Sequence, residues 1–236
     1  MITTGAQLNT LITSLNAGST IDADFLDVLV GVAQAILEEE RSWVVLRKTN
    51  SSKTVTTGNT WQTAIDLSTI TDFSRFYSDK PIQLFNGDNR VEYYDLKPFD
   101  RRLFYKNTSY TACFDENTKT LYLNGTVPFN GTLYISYMST STAIDLTSTS
   151  AVWTLFPNRF LPVIAFYAVG INKGAVDYDT INKQMLPMNQ AVLLALKNAM
   201  EKWDNEKQGD SLSNNDPTDG YSSFPRSGAI DRSNTI

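Results

Sequence analysis

The sequence predicts an α+β protein: a helical bundle built from both chain ends, an inserted antiparallel β module that is sandwich or barrel-like, and an extended C-terminal arm. Three observations carry this. Amphipathic helix-forming sequence fills 5–41 and returns at about 157–206; the stretch between alternates β-formers with turn residues; periodicity stops after 207. The implied units are a helical domain from 1–42 and 155–207, a β domain at 43–154, and an arm at 208–236.

The first helix shows Leu8, Leu11, Ile12 and Leu15 on one face and ends in 16–20. The second opens between Thr20 and Asp22, with Asp22 and Asp24 where the helix dipole favours acid. Phe25, Leu29, Val32 and Ile36 read as its buried stripe, and Glu38, Glu39, Glu40 and Arg41 close it. Three carboxylates at a helix C-terminus oppose the dipole, so they read as a solvated end or as an acidic face held for a partner.

β-formers follow at 43–49 and 61–67, with a Ser/Thr-rich loop between them. Segments 81–85 and 90–94 flank Asn86-Gly87-Asp88-Asn89, a hairpin signature because Asn-Gly tolerates positive φ. A second hairpin joins 109–114 to 119–123 through 115–118, and a further strand covers 132–139, with Leu133, Ile135 and Tyr137 on one face. Six or seven short strands result. Pro157 then suits a first helical position, with Phe160, Ile164, Tyr167, Ala168 and Ile171 on one face and Gly174 as the stop. The last helix is expected from about 180 to 207, bent at Pro187, with Val192, Leu196, Ala199 and Trp203 as its stripe and Ala191, Ala195 and Ala199 as a small-residue row. The tail from 208 is too polar to fold alone, yet keeps Tyr221, Phe224 and Ile230 as spaced apolar anchors, which suits an arm that orders on a partner.

A net charge of −5 and a pI near 4.8 argue against a broad nucleic-acid-binding face, although an acidic surface would let a duplex pass without holding it. The chain has no His, which removes the commonest general base and most zinc sites. It has no Gly-rich phosphate loop and no G-x-S-x-G elbow. Carboxylate pairs at Asp177/Asp179 and Asp115/Glu116 sit in turn-like contexts that suit capping. Cys113, the single cysteine, reads as a small buried hydrophobe. No catalytic residue, cofactor or metal is expected. Neither a secretory signal nor a membrane span is expected, so the sequons at Asn50, Asn107, Asn124 and Asn130 read as turn chemistry.

Lys97, Phe99, Arg101, Arg102, Phe104, Tyr105 and Lys106 form a basic and aromatic cluster. It fits a single-strand binder, or a loop whose arginines meet a neighbour's acid; Glu38–Glu40 of a second copy make the second reading the better one. Tyr93, Tyr94, Tyr105 and Tyr122 offer a weaker pattern, a sugar-stacking platform.

Residues Leu155-Phe156-Pro157-Asn158-Arg159-Phe160-Leu161-Pro162, running on to Tyr167-Ala168, resemble the FP-x-RF-x-P lead-in and YA stretch of head–tail connector adaptor proteins of tailed bacteriophages. The closing Asn198–Asp204 segment and the junction at Glu38-Glu39-Glu40-Arg41-Ser42-Trp43 are similar to that family as well. The resemblance implies a structural virion protein, assembled in the bacterial host cytoplasm. Its copies would form a ring, a dodecamer matching the portal, through whose channel DNA passes without sequence-specific binding. Portal protein above, a downstream tail protein below and no membrane would be its partners, with the arm docking on the portal through Tyr221, Phe224 and Ile230. Inter-subunit contacts would draw on Glu38, Glu39, Glu40, Arg101 and Arg102. Another neck or tail component (a tail terminator or tube) and a carbohydrate-binding module remain the alternatives.

Overall fold

The computed structural model describes residues 2, 4–58, 62–78, 80–87, 91–149, 153–175, 177–183 and 185–213, the last five of these by backbone alone. Among these residues it is an α+β protein with six helices and one curled mixed sheet. Trp61, Asp88, Asn89, Arg90 and the anchors Tyr221, Phe224 and Ile230 lie outside the described residues.

Helices α1 (Gly5–Leu15) and α2 (Ala23–Glu39) start where side-chain caps are available. Thr4 Oγ1 accepts from the Gln7 N–H, and Asp22 Oδ1 accepts from the N–H groups of Asp24 and Phe25 at 3.1 and 3.2 Å. The buried stripe of α2 is Leu26, Leu29, Val30, Ala33 and Leu37. That corrects the expected stripe: Phe25 and Val32 are exposed on the outer face. The helix carries two apolar stripes side by side, and the periodicity alone does not say which faces the core.

A short 3-10 turn, Val44–Leu46, replaces the start of the strand expected at 43–49. Trp43 and Leu46 are buried in the helical core, and the Trp43 indole N–H donates to the Leu37 carbonyl at 2.8 Å, which pulls the chain out of the extended form. Strand β1 (Arg47–Val55) instead runs on through the stretch expected to be a loop. It is a largely exposed edge strand, held by pairing with β8 (Gly131–Ser139) rather than by apolar side chains.

Strands β2 (Gln62–Asp66), β3 (Phe73–Phe76), β4 (Ile82–Phe85), β5 (Val91–Lys97), β6 (Thr111–Asp115) and β7 (Thr120–Asn124) complete the sheet, in the order β1-β8-β4-β5-β6-β7-β2 with β3 also on β8. Both expected hairpins, β4–β5 and β6–β7, are present. The short β3 was not expected; its Phe73 and Phe76 pack with Phe114 and Tyr137 at centroid distances of 5.0–5.5 Å. The module is not purely antiparallel, because β5 and β6 pair in parallel. A parallel neighbour needs a crossover of about a dozen residues, and 98–110 provides one, carrying the four-residue helix α3 (Arg102–Tyr105). The edge strands β1 and β2 follow each other in sequence. Near the curl's opening, Gly58 bridges Val127 and the Thr57 N–H donates to Asn130 Oδ1 at 2.6 Å.

Strand β8 links two cores. Leu133, Ile135 and Tyr137 face the cluster inside the curled sheet, and Met138 faces the helical cluster. Two further helices, α5 (Tyr178–Lys183) and α6 (Pro187–Ser213), replace the single bent helix expected at 180–207; Pro187 opens α6 as its first residue. The buried stripe of α6 includes Leu193 and Met200, one position on from the stripe expected, and Val192 is exposed. The helix runs to Ser213, past the boundary at 208 set by composition.

Helix α4 (Leu161–Asn172) is the centre of the helical cluster. Nine of its twelve residues are buried, on every side, not on one face as expected. It packs against α1, α2, α5 and α6. Gly174, at φ +88°, terminates it as expected. The N-terminal residue of α1 makes a close approach of its own. A Cβ on Gly5 would overlap the Asp145 carbonyl oxygen. Gly5→Ala is therefore expected to cost about 1–3 kcal/mol, read as a fall in Tm of several degrees. An unchanged Tm would contradict the close docking of α1 on 145–146.

Candidate functional site: a polar seam and a basic crossover

The acidic end of α2 is not a solvated terminus. Glu38 is buried, and its carboxylate accepts from Gln34 Nε2 at 3.0 Å, the Ser141 N–H at 3.2 Å, Trp153 Nε1 at 3.3 Å and the Ser141 hydroxyl. Gln34 adds a second tie to the same loop, accepting from the Ile144 N–H at 3.2 Å and donating to the Thr142 carbonyl at 3.1 Å. Four donors around one carboxylate offset its desolvation, which no exposed helix end would require.

Two residues on, Glu40 accepts from the Tyr167 hydroxyl of α4 and pairs with Lys197 of α6 at 2.6 Å. The Lys197 ammonium also lies 3.8 Å from the Tyr178 ring centroid. Arg41 reaches Asp204 at 3.2 Å and Asn205 Oδ1 at 3.1 Å, and lies over the Trp43 ring. Asp204 is fully buried, and its other oxygen accepts from the Val44 N–H at 2.7 Å. Between these ties sits an aromatic stack. Trp43 and Trp153 flank Phe156 at 5.6 and 4.3 Å, and Trp203 reaches Phe156 at 6.1 Å and Phe160 at 5.7 Å. The seam thus joins α2, the 3-10 turn, the loop after β8, α4 and α6. Its partners are all within the chain. Glu39 alone of the three acids is exposed without a partner role in the seam.

The seam was legible in part. Gln34 and Glu38 stand four apart, in line with Val30, Ala33 and Leu37, a spacing that places all five on one side of α2 without saying that this side faces the core. Asp204 and Ser141 carried no such signal, because their partners lie on distant segments.

The basic cluster falls on the crossover between β5 and β6. Arg102 lies 4.4 Å from the Tyr122 ring centroid and 5.2 Å from that of Phe99, and those two rings stack. Lys97 pairs with Asp95 at 3.8 Å, and Arg101 is exposed. Leu103 and Phe104 at the tip are 76% and 80% exposed. The tyrosine platform does not form, because Tyr94 is buried inside the curled sheet and Tyr122 is covered by Arg102.

The remaining candidates are structural. Asp177 Oδ1 accepts from the Thr180 N–H at 2.8 Å, and Asp115 accepts from the Asn117 N–H at 3.0 Å and the Thr118 hydroxyl at 2.9 Å. Cys113 is buried. Among the described residues no group of three or more His, Cys, Asp or Glu side chains could hold a metal ion, and no helix is long and apolar enough to cross a membrane. The cleft between α2 and β8 is about 210 Å³, and the open groove beside Glu40, Tyr178 and Lys197 is about 470 Å³. In comparison with known proteins, no family model and no curated protein matches this chain.

Three phenols sit in places that oppose ionisation. Burial pushes Tyr94 up to about 12. Burial, then the hydrogen bond to Asp72, takes Tyr137 to about 12 as well. Burial and the Glu40 carboxylate raise Tyr167 well above the phenol range. Because each folded value exceeds the unfolded one, the stabilisation is complete below about pH 10 and is lost as pH rises through 10 toward 12. Absorbance near 295 nm should show at least three tyrosines ionising only above about pH 11 in the folded chain. A folded chain whose tyrosines all titrate near 10 would contradict the packing. For the seam, Glu38→Ala removes four hydrogen bonds and leaves the Ser141 N–H without its acceptor, and is expected to cost about 2–4 kcal/mol in urea unfolding. Glu38→Gln, which keeps one acceptor oxygen, should cost less; negligible losses in both would show the seam carries no stability.

Proposed function

We propose that the chain is a structural virion protein, a head–tail connector adaptor that forms a ring between portal and tail and lets DNA through without enzymatic action. On this reading the helices of 1–42 and 155–207 are one bundle built from both ends, the sheet of 43–154 is an insertion, and an arm follows α6. The observation that carries the reading is α4. The residues that resemble the connector adaptors, 155–168, lead into and form this helix, and it contacts α1 and α2 from the front of the chain as well as α5 and α6 from the back. The lead-in residues Phe156 and Phe160 pack on Trp203 of the closing segment that resembles the same family.

The seam supports the same reading from another side. Glu38 is held by four of the chain's own donors, and Glu40 and Asp204 pair with Lys197 and Arg41, ties that stiffen a scaffold. The negative net charge suits a channel lining that does not retain a polyanion. The ring, a dodecamer in register with the portal, would meet a downstream tail protein at its other face.

Mixing the purified chain with its cognate portal ring and imaging the product should give one added ring of matching symmetry. A chain truncated after Ser213 should melt at the same temperature and lose portal docking, because Tyr221, Phe224 and Ile230 are gone. Full-affinity docking by the truncated chain would remove the arm from the reading, and no docking by the intact chain would remove the connector assignment itself.

A further inference from the structure

The outer face of α2 and the tip of the β5–β6 crossover are both exposed and apolar, and their charges are opposite. On α2, Phe25, Val28 and Val32 are 49%, 58% and 41% exposed at i, i+3 and i+7, so they share one face. Asp24 and Asp27 border it, and no Lys or Arg occurs anywhere in residues 1–40. A Cβ at Gly31 would meet nothing within 4 Å, which leaves a hollow beside Val28 and Val32. The crossover tip presents Leu103 and Phe104, both more than three-quarters exposed, beside Arg101 and Lys106. Apolar patches of this kind on a soluble chain mark contact surfaces.

We propose that the crossover tip of one copy docks on the outer face of α2 of a second copy, Leu103 and Phe104 against Phe25, Val28 and Val32, with Arg101 and Lys106 meeting Asp24 and Asp27. Charge complementarity selects this occupant: an acidic rim around an apolar strip meets a basic rim around an apolar knob. Asp24 and Asp27 are exposed and stand beside the apolar strip itself, whereas Glu38 is committed inward. The two patches lie on different elements of each copy, so the contact is head-to-tail, the kind that closes into a ring or continues as a filament. The inference rests on the ring reading for the presence of more than one copy, and specifies the surfaces those copies use.

Sedimentation of the full chain over a range of concentrations tests it, with Phe104→Glu and Val28→Lys as variants at exposed positions whose melting should be unchanged. Each variant alone should self-associate at least about tenfold more weakly than the native chain. Mixed together they should form a one-to-one pair and nothing larger, since each supplies the one intact surface the other lacks. Native self-association should weaken with added salt. Variants that associate as the native chain does would overturn this contact and leave the ring reading standing. A native chain that stays monomeric up to about millimolar concentration, or whose tip binds anionic vesicles without self-association, also overturns the contact. The ring reading itself falls only if no ring forms on portal.

Discussion

Helix α4 has no face that tolerates water, and the rest of the helical layer follows from that. A helix apolar on one stripe can lie on a surface; one apolar all round must be enclosed. Val163, Ile164, Ala165, Phe166, Tyr167 and Ala168 run consecutively and buried after Pro162 in the first turn. The covering comes from α1, α2, α5 and α6, which lie on both sides of the sheet in sequence. The burial of one segment near 165 thus requires residues near 8, near 30 and near 193 to arrive at the same place. Gly170 allows the closest of these approaches, with Ile181 seated where a side chain would otherwise stand.

Enclosure by apolar packing alone would leave the helices free to slide. The polar seam removes that freedom. Glu38, Glu40, Arg41 and Asp204 each have partners at fixed distances on other elements, and a displaced register would strand buried donors and acceptors at once. The seam also couples the two cores. Ser141 follows directly on β8, Met138 of that strand is part of the helical cluster, and Ser139 Oγ donates to the Leu46 carbonyl at 3.1 Å. A force on the curled sheet is therefore transmitted to α2 through short, directional contacts.

Much of this was legible in the residues. The helix start at Asp22, the stop at Gly174 and both hairpins depend on local chemistry, and local chemistry is what a sequence displays; Pro187, read as a bend, instead opens a separate helix. The alternation in β8 was equally readable, because period two leaves no choice once one face is apolar. What escaped depended on distant partners. Strand β1 is polar and exists because β8 offers it a ladder, so composition read it as a loop. The parallel β5–β6 pair needed knowledge that 98–110 crosses over. In α2 and α6 the apolar positions are dense enough to draw two adjacent stripes, and the core chose the other one. The acids of 38–40 were read from the dipole, while the fold uses Glu38 as a buried acceptor and ties Glu40 to Tyr167 and Lys197. Of the candidate site, the basic crossover was found by its composition, and its exposed tip only by its position.

Amide hydrogen exchange of the intact chain tests the enclosure of α4 most directly. The account requires the amides of 164–172 to be among the slowest in the protein, exchanging only with global unfolding, and those of α1 and α2 that face them to open together with them. Exchange in 164–172 as fast as in the solvent-facing turns of α6, or opening of α1 and α2 with α4 still protected, would contradict it.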